Sequence, residues 1–362
     1  MLDASPGFYR RRPYSPAGLI VYIYDLDFQE IKVRLSSWGE SEYRADQLWR
    51  GLYQNLFSQP DEFTNLPAAT RNRLDMEMDW LSLGVIRELT SSDRKTTKTL
   101  FSLNDGNLIE TVLMRYDRRN TVCISTQAGC AMGCVFCATG QMGYKRNLTR
   151  GEIVYQVIYT ARQLLRENKK LSNVVLMGMG EPFHNYENSL SAIDTLNDPD
   201  GFNMGARRFT ISTVGIVPMI KRFADEKRQV NLAISLHAVD DGARTRMMPV
   251  NKRWSITEVL DACRYYTNKT GRRISFEWAL IEGVNDTTEV AARLAEMLKG
   301  LLCHVNAIPL NPTSGFSGSP ASAERATLFK SILENAGITC TIRARRGIDI
   351  HAGCGQLAGT VI

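Results

Sequence analysis

Residues 129–140 read GCAMGCVFCATG, a stretch in which three cysteines are separated by three and then two residues between flanking glycines. Thiolates this close together on one loop can converge on a single inorganic centre. A structural zinc site normally needs four ligands, and a ferredoxin cluster uses a fourth cysteine, but this loop contains no other cysteine or histidine. The spacing of Cys130, Cys134 and Cys137 therefore predicts three ligands to a four-iron cluster whose fourth iron stays open to a small molecule.

The overall composition is that of a globular chain long enough for one large α/β domain and a small helical one. Its 362 residues are 44% hydrophobic and 23% charged. Eight cysteines, several of them assigned to a cluster, favour a reducing compartment, so we expect a cytoplasmic protein. The apolar run at residues 19–24 is too short for a signal peptide or a membrane span. The net charge of +6 is compatible with a nucleic acid partner but does not establish one.

The first part of the chain predicts a basic arm followed by a small helical module. Residues 10–12 are three arginines, whose functional interpretation is contact with phosphate. From residue 27 to about residue 83, apolar residues recur at helical spacing, and prolines separate the segments. We expect residues 1–97 to form an accessory domain used for packing or for docking RNA. Its clearest apolar face comprises Leu48, Trp49, Leu52, Tyr53, Leu56 and Phe57.

Near residue 98 the apolar spacing changes from helical to strand-like, which predicts a second domain at residues 98–362. Residues 99–103 and 108–114 flank NDGN, a typical hairpin turn. Downstream, apolar strands alternate with helical stretches, an order that predicts parallel strands with site loops at their carboxyl ends. The units are too few for a closed eightfold barrel, so we predict an α/β fold with an open or partial (β/α) barrel. The predicted parallel strands are residues 174–177, 209–213, 232–236, 274–280, 305–310 and 340–342.

Short polar motifs follow several of these predicted strands. In GMGEP, residues 178–182, the glycines let the backbone approach a ligand, and Glu181 supplies a carboxylate that suits an ammonium group. An ordinary turn with a solvated glutamate is the alternative. Each of the other polar groups at strand ends is, by itself, a weak indication of a ligand site. A lone histidine is more often a structural residue than a ligand-binding one. These groups are Ser212, Ser235, His237 and Asn311.

One further cysteine, Cys354, lies between glycines near the end of the chain and follows a basic run. A mobile, electropositive setting would favour its thiolate and its reactivity, whereas a buried small side chain is the alternative. Its candidate partner is Cys123, seven residues before the first cluster cysteine. The remaining cysteines lie in helical or strand patterns and are predicted to pack in the core. They are Cys263, Cys303 and Cys340.

Together these motifs resemble the RlmN/Cfr family of radical S-adenosylmethionine (SAM) RNA methyltransferases. Phe136, just before the last cluster cysteine, is typical of the superfamily, whereas Gly353 stands where the family is expected to have alanine. The resemblance runs from about residue 43 to residue 359. It is carried by YRADQ at 43–47, CISTQ at 123–127, the cysteine loop with ATG at 138–140, RNLT at 146–149, GMGEP at 178–182, SLH at 235–237 and CGQL at 354–357.

The resemblance implies a partial (β/α)6 radical SAM barrel with a [4Fe-4S] cluster and SAM, two SAM molecules being used per turnover. In this superfamily the amino and carboxylate groups of SAM bind the open iron, and one electron then yields a 5′-deoxyadenosyl radical. A one-electron donor such as flavodoxin or ferredoxin is implied as a partner. The implied substrates are C2 of an adenosine in 23S rRNA near the peptidyl transferase centre and C2 of the adenosine 3′ to the tRNA anticodon. The implied SAM site comprises Gly180, Glu181, Ser212, Ser235, Leu236, His237 and Asn311.

The resemblance also implies roles for the two cysteines outside the cluster. Adenine C2 is electron-poor, so it does not readily take the electrophilic methyl group of SAM. In the family, the thiolate matching Cys354 first accepts the methyl group by nucleophilic attack. A radical then removes hydrogen from this S-methyl group, and the resulting carbon radical adds to C2, which tethers the RNA to the protein. Glu110 matches the family's proton acceptor, and Cys123 would release the product through a transient disulfide with Cys354.

Two other functions fit part of the sequence. The C8-methylating Cfr branch shares the cysteines, although Pro182 favours the C2 branch. A cluster-bearing RNA-binding or electron-transfer protein without methyl transfer would not need Cys354. For any RNA substrate, basic residues near the mouth of the barrel are candidate contacts to an unstacked target, with a solvated basic face as the alternative. They are Lys145, Arg146, Arg207, Arg208 and Arg345.

Overall fold

The structure, a computed structural model, describes residues 21–80 and 83–359, so the basic arm at residues 10–12 lies outside the described residues. The N-terminal part is a small helical module, as predicted. Its first helix begins at a capping box, in which Asp27 and Glu30 each accept the backbone N–H of the other. Two short parallel strands close the module. Its elements are β1 (Val21–Tyr22), α1 (Phe28–Ser37), α2 (Tyr43–Tyr53), α3 (Ala68–Glu77) and β2 (Met78–Asp79).

The rest of the described chain is built on an open ten-stranded sheet that starts with four antiparallel strands. The first of these is an edge strand with mostly exposed side chains, so its sequence lacks the alternation that marks a half-buried strand. The sheet consequently starts before residue 98, and the predicted boundary falls within the second strand. These strands are β3 (Gly84–Thr90), β4 (Thr96–Ser102), β5 (Leu108–Tyr116) and β6 (Arg119–Cys123).

From β6 onward the sheet is parallel and its spatial order follows the chain, which confirms the predicted partial barrel. A separate antiparallel pair, β7 (Gln127–Gly129) and β8 (Tyr144–Asn147), flanks the cysteine loop. The six predicted strands all form, at nearly the predicted bounds. They are β9 (Asn173–Leu176), β10 (Phe209–Thr213), β11 (Asn231–Ser235), β12 (Ile274–Leu280), β13 (Cys303–Pro309) and β14 (Cys340–Ile342).

Helices connect the parallel strands and cover one face of the sheet. Because side chains alternate along a strand, Ile211 and Phe276 pack in the core, whereas their neighbours Ser212 and Glu277 line a cavity on the other side. Within the described ranges, no helix has the length and hydropathy needed to cross a membrane. The helices are α4 (Ala138–Gln141), α5 (Arg150–Arg166), α6 (Tyr186–Asn197), α7 (Val217–Asp225), α8 (Asp241–Met247), α9 (Ile256–Thr270), α10 (Thr288–Leu298) and α11 (Ala323–Asn335).

Candidate active site: a cavity lined by five cysteines

The carboxyl ends of the parallel strands open into one cavity, where the fold gathers residues that are far apart in the sequence. Most of the sequence-predicted site residues line this cavity. Leu236 does not, because its side chain is fully buried in the core. The predicted residues that line it are Cys123, Cys130, Cys134, Cys137, Gly180, Glu181, Ser212, Ser235, His237, Asn311 and Cys354.

The glycines at the two ends of the cysteine loop allow close backbone contacts. A Cβ atom on Gly129, which has φ of +75°, would collide with the carbonyl group of Gly143. A Cβ on Gly140 would lie 2.8 Å from the Cys134 carbonyl oxygen, so a side chain there would push α4 away from the loop. The backbone N–H of Cys137 also donates to the Cys134 carbonyl at 3.1 Å. These contacts hold the loop in a compact turn.

The three loop cysteines suit a cluster better than a single ion. Burial raises the pKa of Cys130 to about 12 and that of Cys134 well above its usual range, so both thiolates need a nearby cation. In the part of the chain that the structure describes, no three Cys, His, Asp or Glu side chains converge to hold one metal ion. In an iron–sulfur cluster each cysteine binds a different iron, so such convergence is not required.

Glu181 and Asn311 offer hydrogen-bond acceptors to a ligand in the cavity. The Glu181 carboxylate accepts the backbone N–H groups of Phe183 at 3.0 Å and Val214 at 2.9 Å, and burial raises its pKa to about 7. An ammonium group beside it would favour the charged carboxylate. The Asn311 amide donates to the Cys354 carbonyl at 3.1 Å, whereas its Oδ1 atom is buried without a hydrogen-bond partner. These features fit the amino and other polar groups of SAM.

His237 is a neutral residue with one free ring N–H. Its Nδ1 atom accepts the backbone N–H of Ala279 at 2.9 Å, which places the ring proton on Nε2. Burial, and secondarily the charge of Arg244, lowers its pKa to about 3. Its ring packs edge-on against Phe136, with 5.0 Å between the ring centroids. The histidine thus supports the cysteine loop and also presents a donor to the cavity.

Cys354 and Cys123 line the same cavity as the cluster cysteines, and both thiols are free. Cys354 is accessible from the cavity but surrounded by protein, and this burial raises its pKa to about 11. The guanidinium group of Arg343 acts in the opposite direction and does not offset the burial. Of the two interpretations that the sequence left open, the surroundings thus do not favour the thiolate, although a positive charge is present. Burial also raises the pKa of Cys123 to about 12, with a further contribution from Cys354.

Glu110, the predicted proton acceptor, does not line the cavity. Its Oε1 atom lies 2.8 Å from Lys98 Nζ. Its Oε2 atom accepts the backbone N–H groups of Ala358 at 2.8 Å and Gly359 at 3.1 Å. In this arrangement Glu110 anchors the C-terminal tail, and a role as proton acceptor requires that the tail release Oε2.

Two charged cavity residues, Glu277 and Arg343, were missed in the sequence. Burial raises the pKa of Glu277, whose Oε2 atom accepts from Asn306 Nδ2 at 2.7 Å. A glutamate within a mostly apolar strand was the available signal for Glu277. Arg343 directly follows β14, at the carboxyl end of a parallel strand, which is where ligand-binding side chains are expected.

The structure places the five predicted RNA contacts in different surroundings. Arg146 pairs with Glu152 through two contacts of 2.7 and 2.8 Å and also pairs with Asp105. Arg207 and Arg208 lie just before β10, at the amino-terminal end of the strand, so the prediction that they surround the cavity mouth is wrong. Lys145 and Arg345 are exposed. These last two remain hypotheses.

A partial barrel of parallel strands with a three-cysteine loop at their carboxyl ends defines a radical SAM protein. The model of the radical SAM superfamily matches residues 124–295, and that of the ribosomal RNA large subunit methyltransferase N-terminal domain matches residues 21–79. Since close relatives also match over nearly the whole chain, the protein belongs to the RlmN family of radical SAM RNA methyltransferases.

Two relatives and one solved structure illustrate the match. The chain is 50% identical over 346 residues to the dual-specificity RNA methyltransferase RlmN 1 of Myxococcus xanthus, covering 96% of each chain. It is 49% identical over 348 residues to a probable dual-specificity RNA methyltransferase RlmN of Chloroflexus aurantiacus, covering 93% of this chain and 92% of the relative. The crystal structure of a radical SAM methyltransferase from Sphaerobacter thermophilus is 48% identical, with a TM-score of 0.92, and covers 94% of this chain and 100% of the other.

Proposed function

We propose that this protein methylates C2 of an adenosine in 23S rRNA near the peptidyl transferase centre and C2 of the adenosine 3′ to the tRNA anticodon. The observation that carries the proposal is the placement of Cys354 and Cys123 in the cavity of the three cluster cysteines. The dual-specificity names of its relatives support two RNA substrates. Eight free cysteines support a reducing, cytoplasmic setting, and a flavodoxin or ferredoxin would supply the electron.

The cavity residues divide into cluster ligands and SAM contacts. Cys130, Cys134 and Cys137 would hold the cluster, and Glu181 would receive the SAM ammonium group, with Asn311 Oδ1 as a further acceptor. When bound, the cluster and SAM would supply a 5′-deoxyadenosyl radical that can remove hydrogen from an unactivated methyl group. Gly180, Ser212, Ser235 and His237 would line the remaining surface of this ligand site.

Cys354 would accept the methyl group from a first SAM molecule and carry it as a thioether. Its segment is bound to the cluster loop, since Ala138 N–H donates to the Gly355 carbonyl at 2.7 Å and Thr139 Oγ1 donates to the Leu357 carbonyl at 2.6 Å. The carried carbon would thus stay close to the cluster. A thioether is uncharged, so it fits surroundings that raise the pKa of this thiol better than a thiolate does.

Cys123 would release the product after the carried carbon has bonded to adenine and the radical adduct has lost the C2 proton and given one electron back to the oxidised cluster. Its thiol would form a bond to the Cys354 sulfur as the bond from that sulfur to carbon breaks. The electron pair of the broken bond leaves with the carbon, which then takes up a proton to complete the new methyl group. The resulting disulfide would be reduced by a cellular dithiol before the next turnover. Both sulfurs line one cavity, which permits this exchange.

Identifying the methylated nucleoside tests the proposed function. Cluster-loaded protein is incubated without oxygen with SAM, a one-electron reductant and either 23S rRNA fragments or tRNA, and the RNA is digested to nucleosides. We expect 2-methyladenosine from both RNAs. Formation of 8-methyladenosine alone would reject the C2 assignment in favour of the Cfr-type reaction, and an absence of any methylated adenosine would reject methyl transfer.

Replacing Glu181 with glutamine is expected to weaken SAM binding about 10- to 100-fold, because a hydrogen bond to a charged group contributes roughly 1.5–3 kcal/mol. Equilibrium dialysis of cluster-loaded protein with labelled SAM measures the change. Glu187→Gln is the matched control, since that exposed carboxylate pairs with Arg222 on the surface. Equal SAM affinity in the two variants would contradict the proposed contact.

A further inference from the structure

A single buried ion pair ties the segment that carries Cys354 on both sides of the cysteine. Lys98 Nζ lies 2.8 Å from Glu110 Oε1, and the two side chains are only 7% and 2% exposed. Before Cys354 in the chain, Lys98 Nζ also donates to the His351 carbonyl at 3.2 Å. After Cys354, Glu110 Oε2 accepts the N–H groups of Ala358 at 2.8 Å and Gly359 at 3.1 Å.

The strand register explains why this ion pair faces the cavity side of the sheet. In the antiparallel pair of β4 and β5, Lys98 lies opposite Val112, and Glu110 is two residues from Val112 on the same face. Val112 in turn lies opposite Cys123, and both of these line the cavity. The ion pair therefore lies on the same face of the sheet as Cys123. The C-terminal tail crosses this face and contacts both members of the ion pair.

Stability alone does not account for two charges at this position. A buried ion pair loses hydration on both partners, and replacing such a pair with apolar side chains is often neutral or stabilising. An apolar pair could not bind the carbonyl of His351 or the two tail amides. What the charges add here is a set of directional contacts to the tail, namely three hydrogen bonds that an apolar surface would leave unmade.

We propose that Lys98 is a positioning residue, which acts with Glu110 to hold the Cys354 segment against the cluster loop. The proposal rests on the proposed function in one respect, namely that Cys354 is the residue to be methylated. The ammonium group of Lys98 fixes Glu110 and the start of the segment, and Glu110 fixes its end. Loss of the lysine charge frees the segment and displaces the Cys354 sulfur from the position at which it accepts a methyl group.

The test is Lys98→Met in the cluster-loaded protein, a change that keeps chain length and removes the charge. Amide hydrogen exchange of the peptide covering residues 351–359 is expected to speed up about tenfold or more, since the segment loses hydrogen bonds to charged groups that oppose its local opening. Methylation of Cys354 by SAM, followed by peptide mass spectrometry, is expected to slow with iron content unchanged. The matched control is Thr111→Val on the neighbouring strand β5, where the Thr111 hydroxyl donates to Gln156 Oε1 at 2.7 Å on the helix-covered side. Hydrogen exchange at residues 351–359 should equal that of the wild type in this control.

Unchanged exchange at residues 351–359 in Lys98→Met would overturn the proposal, as would faster exchange with Cys354 methylated at the wild-type rate. If the wild-type protein itself does not methylate Cys354, the proposed function fails, and the exchange measurement still decides whether the clamp exists. Because Lys98→Met leaves Glu110 buried without its partner, Ala358→Pro serves as an independent variant. Proline removes one N–H that Glu110 accepts, and the same increase in exchange across residues 351–357 is expected.

Discussion

Cys354→Ala is expected to reduce the yield of methylated adenosine by about 1000-fold or more, because the variant lacks the thiol that we propose carries the methyl carbon. Cys123, the other cavity thiol outside the cysteine loop, is not expected to replace it, since burial raises its pKa to about 12. The iron–sulfur cluster should be retained, because Cys130, Cys134 and Cys137 are untouched. Iron analysis and visible absorption report the cluster, and nucleoside mass spectrometry reports the product.

The control for this variant is Cys303→Ala. Cys303 begins β13 at the amino-terminal end of the strand and does not line the cavity, so its replacement should leave product yield within about threefold of the wild type, as expected for a site away from the chemistry. If Cys354→Ala forms product at the rate of the control, Cys354 takes no part in the reaction. A wild-type protein that binds RNA and its cluster without making any product would instead support the RNA-binding or electron-transfer alternative.

Cys123→Ala is expected to convert most of the protein into a covalent complex with RNA during a single turnover. In the proposed reaction this variant keeps Cys354 and would form the bond to adenine, but it lacks the thiol that would attack the Cys354 sulfur to break that bond. Denaturing gel electrophoresis with end-labelled RNA would show the complex as a slowly migrating band that nuclease digestion removes. Methylated free RNA should fall in proportion.

The double variant Cys123→Ala/Cys354→Ala is the control for this trapping, since it has no sulfur through which RNA can be tethered. It should give no slowly migrating band under the same conditions. If Cys123→Ala turns over without any covalent complex, release does not depend on this thiol. A band of equal intensity in both variants would place the attachment at some other residue.

The central parts of the fold could be predicted because their signals are local. The parallel strands are short apolar runs with helical stretches between them, and each of the six forms at nearly its predicted bounds. The cysteine loop was equally clear, since three ligands and their glycines lie within twelve residues. Strand β3 gave no such signal, because an exposed edge strand has no buried face to impose alternation.

The rest of the site depends on contacts between residues that are distant in the chain. Glu110 was assigned from the family resemblance, but its contacts to Lys98 and to the amides of Ala358 and Gly359 follow from the strand register and the path of the tail. The sequence left the protonation of Cys354 open for a related reason. The sequence shows the nearby arginines, whereas the burial that outweighs them appears only when the tail folds into the cavity.

The central claim is that the transferred carbon travels through Cys354, and isotopic labelling of SAM tests it most directly. If the carbon is carried as a thioether, the methyl group on Cys354 must lose one hydrogen before its carbon bonds to adenine, and another hydrogen replaces it on release. With SAM carrying three deuteriums on its methyl group, mass spectrometry of the product should show 2-methyladenosine with two deuteriums in the new methyl group. Retention of all three deuteriums would show direct methyl transfer and would contradict this account.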